Sequence, residues 1–221
     1  MNEILFFFHL LIAIGFGWGA LRLGPAALTA WAALQAVLAN LFVLKQIVLF
    51  GFHITCSDVY AIGSVLGLNL LREYYGKESA KRALSICFWA MLFFAAMAQL
   101  HLWYEPSPFD TTQPAYHALL SPSPRLFGAS LFVYFLVQQI DLKLFGALKN
   151  SFTAIPLVLR NGISLCCTQL LDTVLFSLIG LWGLVSSLSD IIAVSFAVKI
   201  LIVAFMAPLV AFSRRFVHGR V

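Results

Sequence analysis

Apolar residues in this chain are gathered into long runs, and polar residues fall mostly in the short connections between them. A helix needs about 20 mostly apolar residues to cross a bilayer. On that measure the pattern predicts helices over residues 4–21, 25–50, 54–71, 83–104, 125–145, 161–184 and 191–212. Residues 105–124 are expected to form an outer loop. Pro25 suits a helix start, and Gly51 is expected to end the second run. Gly63 and Gly67 form a small-xxx-small pair, the spacing of a helix-packing face. Gly15, Gly17 and Gly19 are expected to allow close backbone contact in the first helix. The fold class is therefore an all-α integral membrane protein, a polytopic helical bundle forming a single transmembrane domain over 1–221.

Composition agrees with this class. The chain is 62% hydrophobic and 10% charged, whereas a soluble domain is nearer half apolar and a quarter charged. The net charge of +5 has the sign that nucleic acid attracts, but the basic residues lie where a membrane orientation would put them. When connections are assigned alternately to the two sides, Arg22, Arg72, Lys77, Lys81, Arg82, Lys143, Lys149, Arg160, Arg214, Arg215 and Arg220 share one side, and the opposite loops hold no Lys or Arg. The positive-inside rule places the basic side in the cytoplasm. The N-terminus is then outside and the C-terminus cytoplasmic. The loop 105–124 contains five of the eight prolines, and Trp103 and Tyr104 precede it as an interfacial aromatic pair.

Polar residues inside the runs carry the candidate chemistry, because an ionisable group at membrane depth is expensive and usually functional. They are Asn40, Lys45, Asp58, Gln138, Gln139, Asp141, Gln169, Asp172 and Lys199. Gln138 and Asp141, like Gln169 and Asp172, are three residues apart, with Phe145 and Phe176 four residues further on. Each set lies on one helix face. Two adjacent antiparallel helices would bring both stripes into one cavity. Lys199, near the middle of the last run, needs a carboxylate partner; Asp58, Asp141 and Asp172 are the candidates, and Asp172 is closest to it in depth. Amides and carboxylates can hydrogen-bond a guanine-like heterocycle, but they serve other polar solutes equally well. A structural ion network is the plainer alternative.

Enzyme classes find no support. Neither acidic stripe contains Gly-x-Gly-Asp, and no His-Glu-x-x-His, Gly-x-Ser-x-Gly or phosphate-binding Gly-x-x-x-x-Gly-Lys motif occurs. Cys56, Cys87, Cys166 and Cys167 have no zinc-ligand spacing and suit small buried hydrophobes. His9, His53, His101, His117 and His218 lie mostly near helix ends or in loops, where interfacial or solvated roles are expected. No cofactor and no metal site are expected.

Taken together, Asn40 to Lys45, Thr55-Cys56-Ser57-Asp58, Asn69 to Glu73-Tyr74-Tyr75-Gly76-Lys77, Arg125 through Ala129-Ser130 to Gln139 and Asp141, Arg160-Asn161, Thr168-Gln169-Leu170-Leu171-Asp172-Thr173 with Phe176, Lys199 and Pro208 form an ordered set. It resembles the queuosine precursor transporter family, also called the vitamin uptake transporter family. The resemblance covers roughly residues 30–212. It implies a six-helix transporter core that imports a 7-deazaguanine base (queuine, preQ1 or preQ0) for tRNA modification. The run 4–21 is then an additional N-terminal helix. Gln138-Gln139 stands where Ser-Gln is expected, and the loop 105–124 is particular to this chain.

Under that resemblance, Asn40, Asp58, Gln138, Gln139, Gln169 and Asp172 are expected to bind substrate. Lys45, Glu73, Arg125, Asp141 and Lys199 are expected to form the charge or coupling network. The expected partners are the 7-deazapurine solute and the lipid bilayer of a bacterial inner membrane, with a homodimer allowed and no nucleic acid. Two alternatives remain: a substrate-binding subunit of an energy-coupling complex, and a carrier of another nucleobase-like or vitamin-like solute.

Overall fold

The computed structural model describes residues 1–43, 45–55, 57–121, 124–151, 157–183 and 188–217. It holds eight α-helices, a two-stranded hairpin and one π-helical turn. In chain order these are α1 (Asn2–Leu23), α2 (Pro25–Leu41), β1 (Gln46–Leu49), β2 (Phe52–Thr55), α3 (Ser57–Tyr75), α4 (Lys77–Leu102), α5 (Gln113–Leu120), α6 (Pro124–Ser151), α7 (Leu157–Phe176), the π-helical turn Ser177–Leu181, and α8 (Leu188–Val217). By length and composition alone, α1 and α4 qualify as membrane spans among the described residues. The other long helices carry the polar groups that concern the site.

The largest departure from the sequence pattern falls in the expected helix 25–50. It stops at Leu41, and the chain then folds into an antiparallel hairpin that pairs Gln46 with Thr55 and Leu49 with Phe52. Phe50 and Gly51 turn the hairpin with φ of 50° and 84°. Positive φ at both central residues is the type I′ signature, whose twist matches that of the strands. A short apolar run such as Ile47-Val48-Leu49-Phe50 cannot by itself distinguish strand from helix. The Asn2 side chain donates to the Val48 carbonyl at 2.8 Å, and the Phe50 N–H donates to Glu3 at 3.3 Å. The hairpin tip therefore sits at the N-terminal end of α1.

Other boundaries shift less. The charged stretch 72–82 is helical except at Gly76, whose φ of 86° separates α3 from α4. The expected loop 105–124 contains α5, which folds back so that the Gln99 amide donates to the Leu120 carbonyl at 2.9 Å. Before α5, the Thr112 N–H and hydroxyl both donate to Asp110 at 2.7 Å. These bonds hold the Asp110 carboxyl below the usual carboxylate range. The run 161–184 becomes α7 followed by the π-helical turn.

Small residues set the helix packing. A Cβ added at Gly67 would lie 2.9 Å from the Ala32 side chain, and one at Gly63 would lie 3.1 Å from Gln35. This glycine pair is thus the α2–α3 contact face. In α1, Gly17 presses on Trp31, while Gly15 and Gly19 have nothing within 4 Å. Only the middle glycine of that trio serves close approach. Gly17 and Gly67 meet opposite edges of the Trp31 ring. Hence α1 and α3 run parallel, with Ser57 about level with Phe7. At 1.5 Å per residue, α3 begins about 7 Å inward from the start of α1. The hairpin thus delivers the first turn of α3, with Asp58, into the bundle interior.

Candidate functional site

Helix α7 is inside-out by the standard of a soluble protein. Its exposed face carries Ile163, Cys167 and Leu170, continued by Leu178 of the π-helical turn, and its buried face carries Ser164, Thr168, Gln169 and Thr173, continued by Ser177. A helix with lipid on one side and a polar interior on the other should show this inversion. The Thr168 and Thr173 hydroxyls donate back to the Ser164 and Gln169 carbonyls at 2.9 and 2.8 Å, so their hydrogen-bonding needs are met within the helix. Gln169 is 2% exposed, and its Oε1 has no hydrogen-bond partner among the described residues. Asp172 lies one turn further along the same stripe, yet its side chain remains 25% exposed.

The centre of the site joins three helices. Lys199 of α8 is buried and donates to Asp172 Oδ2 of α7 at 2.6 Å. The same ammonium lies 3.7 Å from Asp58 Oδ1 of α3. Ser195, one turn before Lys199, donates to the Asp58 carboxylate at 3.2 and 3.3 Å to its two oxygens. The result is a triad of two carboxylates and one ammonium, with Asp58 and Lys199 buried and Asp172 partly open. A neighbouring group comes from α6, where Tyr134 shares a hydrogen bond with Ser64 at 2.8 Å and a further one with buried Cys87. Tyr134 also interacts electrostatically with Asp172.

Asp141 belongs to a different centre. It is buried, accepts from the Ser164 hydroxyl at 2.7 Å, and interacts electrostatically with Arg72. Helices α6 and α7 are antiparallel, and the Asp141–Ser164 bond fixes their register. Asp172 stands eight residues beyond Ser164, so the two acids lie about 12 Å apart along the bundle. The two Gln-x-x-Asp stripes therefore do not share one level, and Asp141 is not part of the Lys199 network. Asp58, a candidate partner of Lys199 as well as an expected substrate contact, takes that place.

The remaining expected residues scatter. The Asn40 amide donates to Ala36 of its own helix at 3.0 Å. Lys45 is exposed beside the hairpin rather than within a helix, and Glu73 is exposed near the end of α3. Arg125 is exposed, and its Nε donates to the Ile179 carbonyl at 2.9 Å, so it serves the π-helical turn. Gln138 is 5% exposed and Gln139 is half-buried, both between the two acidic centres in depth. His9 is half-buried against Tyr60, with ring centroids 4.7 Å apart, not simply interfacial. Cys56 and His218 lie outside the described residues, as do the side chains of Phe145, Arg160, Asn161 and Pro208.

Ser64, Arg72, Tyr134, Ser164 and Ser195 were not singled out from the sequence. Spacing could have found several of them. Tyr134, Gln138 and Asp141 fall at i, i+4 and i+7, and Ser195 precedes Lys199 by four.

Apolar residues on the outer faces of the bundle and an ionic triad among its inner helices are features that a membrane solute transporter requires. Residues 55–213 match the model of the family described as "Putative vitamin uptake transporter", and the chain belongs to that family. It is 30% identical over 177 residues, 80% of this chain and 76% of the relative, to the "Probable queuosine precursor transporter" of Bacillus subtilis (strain 168). No solved structure matches the chain. The family is one of transporters, not enzymes.

Proposed function

We propose that the chain imports a 7-deazaguanine precursor of queuosine (queuine, preQ1 or preQ0) for tRNA modification. The observation that carries this reading is the Asp58–Lys199–Asp172 triad beside the unpartnered Gln169 carbonyl, all within the family-matched segment. A guanine edge presents adjacent N–H donors, and these acceptors suit it. The relative's name supports the same solute class. In this reading Asp58, Gln169 and Asp172 contact the base, with Gln138 or Gln139 beside them. Asn40, Lys45, Glu73 and Arg125 lie outside the contact set.

The proposal extends to architecture and orientation. Helices α2, α3, α4, α6, α7 and α8 form a six-helix core in a bacterial cytoplasmic membrane, and α1 is an added helix. The basic connections face the cytoplasm. A reporter fused after Arg220 is expected to be active only inside, and activity on the outer face would overturn the topology.

The deciding experiment is deletion of the gene in cells unable to make queuosine, followed by supply of the base at low concentration. Loss of queuosine from tRNA supports the reading, and unchanged queuosine overturns it. The family description as vitamin uptake keeps a second reading open, a substrate-binding subunit served by a separate ATPase. Uptake by the purified chain alone in proteoliposomes would exclude it.

A further inference from the structure

The triad does not balance its own charge. Asp58 and Asp172 bring two formal negative charges, and Lys199 brings one positive charge. Among the described residues, Lys199 is the one basic side chain paired with either acid. Arg72 does not make up the difference, because it faces Asp141 at the other level. An uncompensated charge held away from water is costly. Lys199 sits 2.6 Å from Asp172 but 3.7 Å from Asp58, so the deficit falls on Asp58. A serine hydroxyl is its other partner, and that supplies a hydrogen bond without a charge.

The open hydrogen-bonding capacity has the same sign. Gln169 Oε1 is an acceptor, 2% exposed at the residue and without a partner, on the face of α7 that carries Asp172. Asp172 is the one member of the triad with appreciable exposure, at 25% of its side chain. Among the described residues, the centre has an unpaired acceptor and one positive charge too few. A ligand that supplies a donor and a positive charge completes it.

Resting on the reading of this site as one for a 7-deazaguanine base, we propose that the Asp58–Lys199–Asp172 centre selects a base whose 7-substituent ends in a protonated amine, with that ammonium set against Asp58. The neutral donors of the guanine edge meet Gln169 and its neighbours. Selection comes from charge pairing away from water, where a charge-assisted hydrogen bond is about twice as strong as a neutral one.

The test uses the full-length protein in detergent or nanodiscs and three probes that differ at one position. 7-Aminomethyl-7-deazaguanine carries the cation, 7-hydroxymethyl-7-deazaguanine is its neutral counterpart of similar size, and 7-cyano-7-deazaguanine is neutral and linear. The aminomethyl base is expected to bind about tenfold or more tighter than the hydroxymethyl base, the low end of what a charged hydrogen bond contributes. In Asp58→Asn that ratio is expected to fall toward one. Equal affinities in the unaltered protein would overturn the inference and show that a proton or an inorganic cation balances Asp58, while leaving the base-import reading intact. Binding of none of the three would overturn that reading and this inference with it. The ratio in the unaltered protein decides the matter even if Asp58→Asn does not fold.

Discussion

Two acidic centres lie about 12 Å apart along the same bundle and are built on different terms. The Asp58–Lys199–Asp172 centre spans α3, α7 and α8, holds an odd charge, and leaves Asp172 partly open. The Asp141 centre spans α6 and α7, with Arg72 of α3 opposite. It is closed by one short hydroxyl bond and carries matched charge. A carboxylate buried with matched partners is a staple, and the proposal above makes the pair short of one cation a receptor. On that reading the comparison separates a structural acid from two functional ones, although all three look alike in the sequence.

The largest expected effect comes from removing the shared cation. Lys199→Met leaves buried Asp58 and part-buried Asp172 without their cation and should cost about 3–5 kcal/mol, read as a fall in the thermal midpoint of the purified protein. Adding Asp172→Asn should recover part of that loss, because one orphaned charge disappears with it. If Lys199→Met melts like the unaltered protein, the triad is not an ionic centre.

The two serines sharpen the contrast. Ser164→Ala removes a 2.7 Å bond to Asp141 and should cost about 1.5–3 kcal/mol, the range for hydrogen bonds to charged groups. Ser195→Ala removes longer contacts to an acid that keeps Lys199 nearby, and should cost about 1 kcal/mol or less. Denaturation of the two variants side by side ranks them, and the reverse order would break the distinction between staple and receptor.

The smallest effect lies outside the bundle. The bonds from Thr112 favour ionised Asp110, so their contribution is complete at neutral pH. It is lost as pH falls through the lowered folded value, below the usual carboxylate range. Protection of the Thr112 amide, measured against its intrinsic exchange rate at each pH, should fall in that acid window while the core amides stay protected. An equal fall in both would show that the turn is not an independent unit.

Much of the molecule was legible in the sequence, and the reasons are specific. Runs of apolar residues betray bilayer-facing helices because solvent quality sets their length. The pairing of Lys199 with Asp172 follows from depth, since a lysine at mid-membrane must find an acid. Gly63 and Gly67 revealed the α2 contact through spacing alone. Which acid joins Asp172 at Lys199 was not legible. The depth of Asp58 depends on the hairpin, and Ile47-Val48-Leu49-Phe50 is too uniformly apolar for periodicity to betray a strand. Asp141 misled for a related reason, because equal motifs on antiparallel helices share a level only at one particular register. That register is fixed by the Ser164 hydroxyl.

The hairpin also gives the chain a modularity that a helical crossing would not. Gln46 and Thr55 are paired, so the strand entering the hairpin and the strand leaving it stand about 5 Å apart. To the helices on either side the hairpin is a side branch, and it can lengthen or shorten by paired residues without resetting α2 or α3. Its own anchors, Asn2 and Glu3 at the tip, are the contacts such a change must keep. The end of the bundle that carries it can therefore diversify while the depth of Asp58 stays constant.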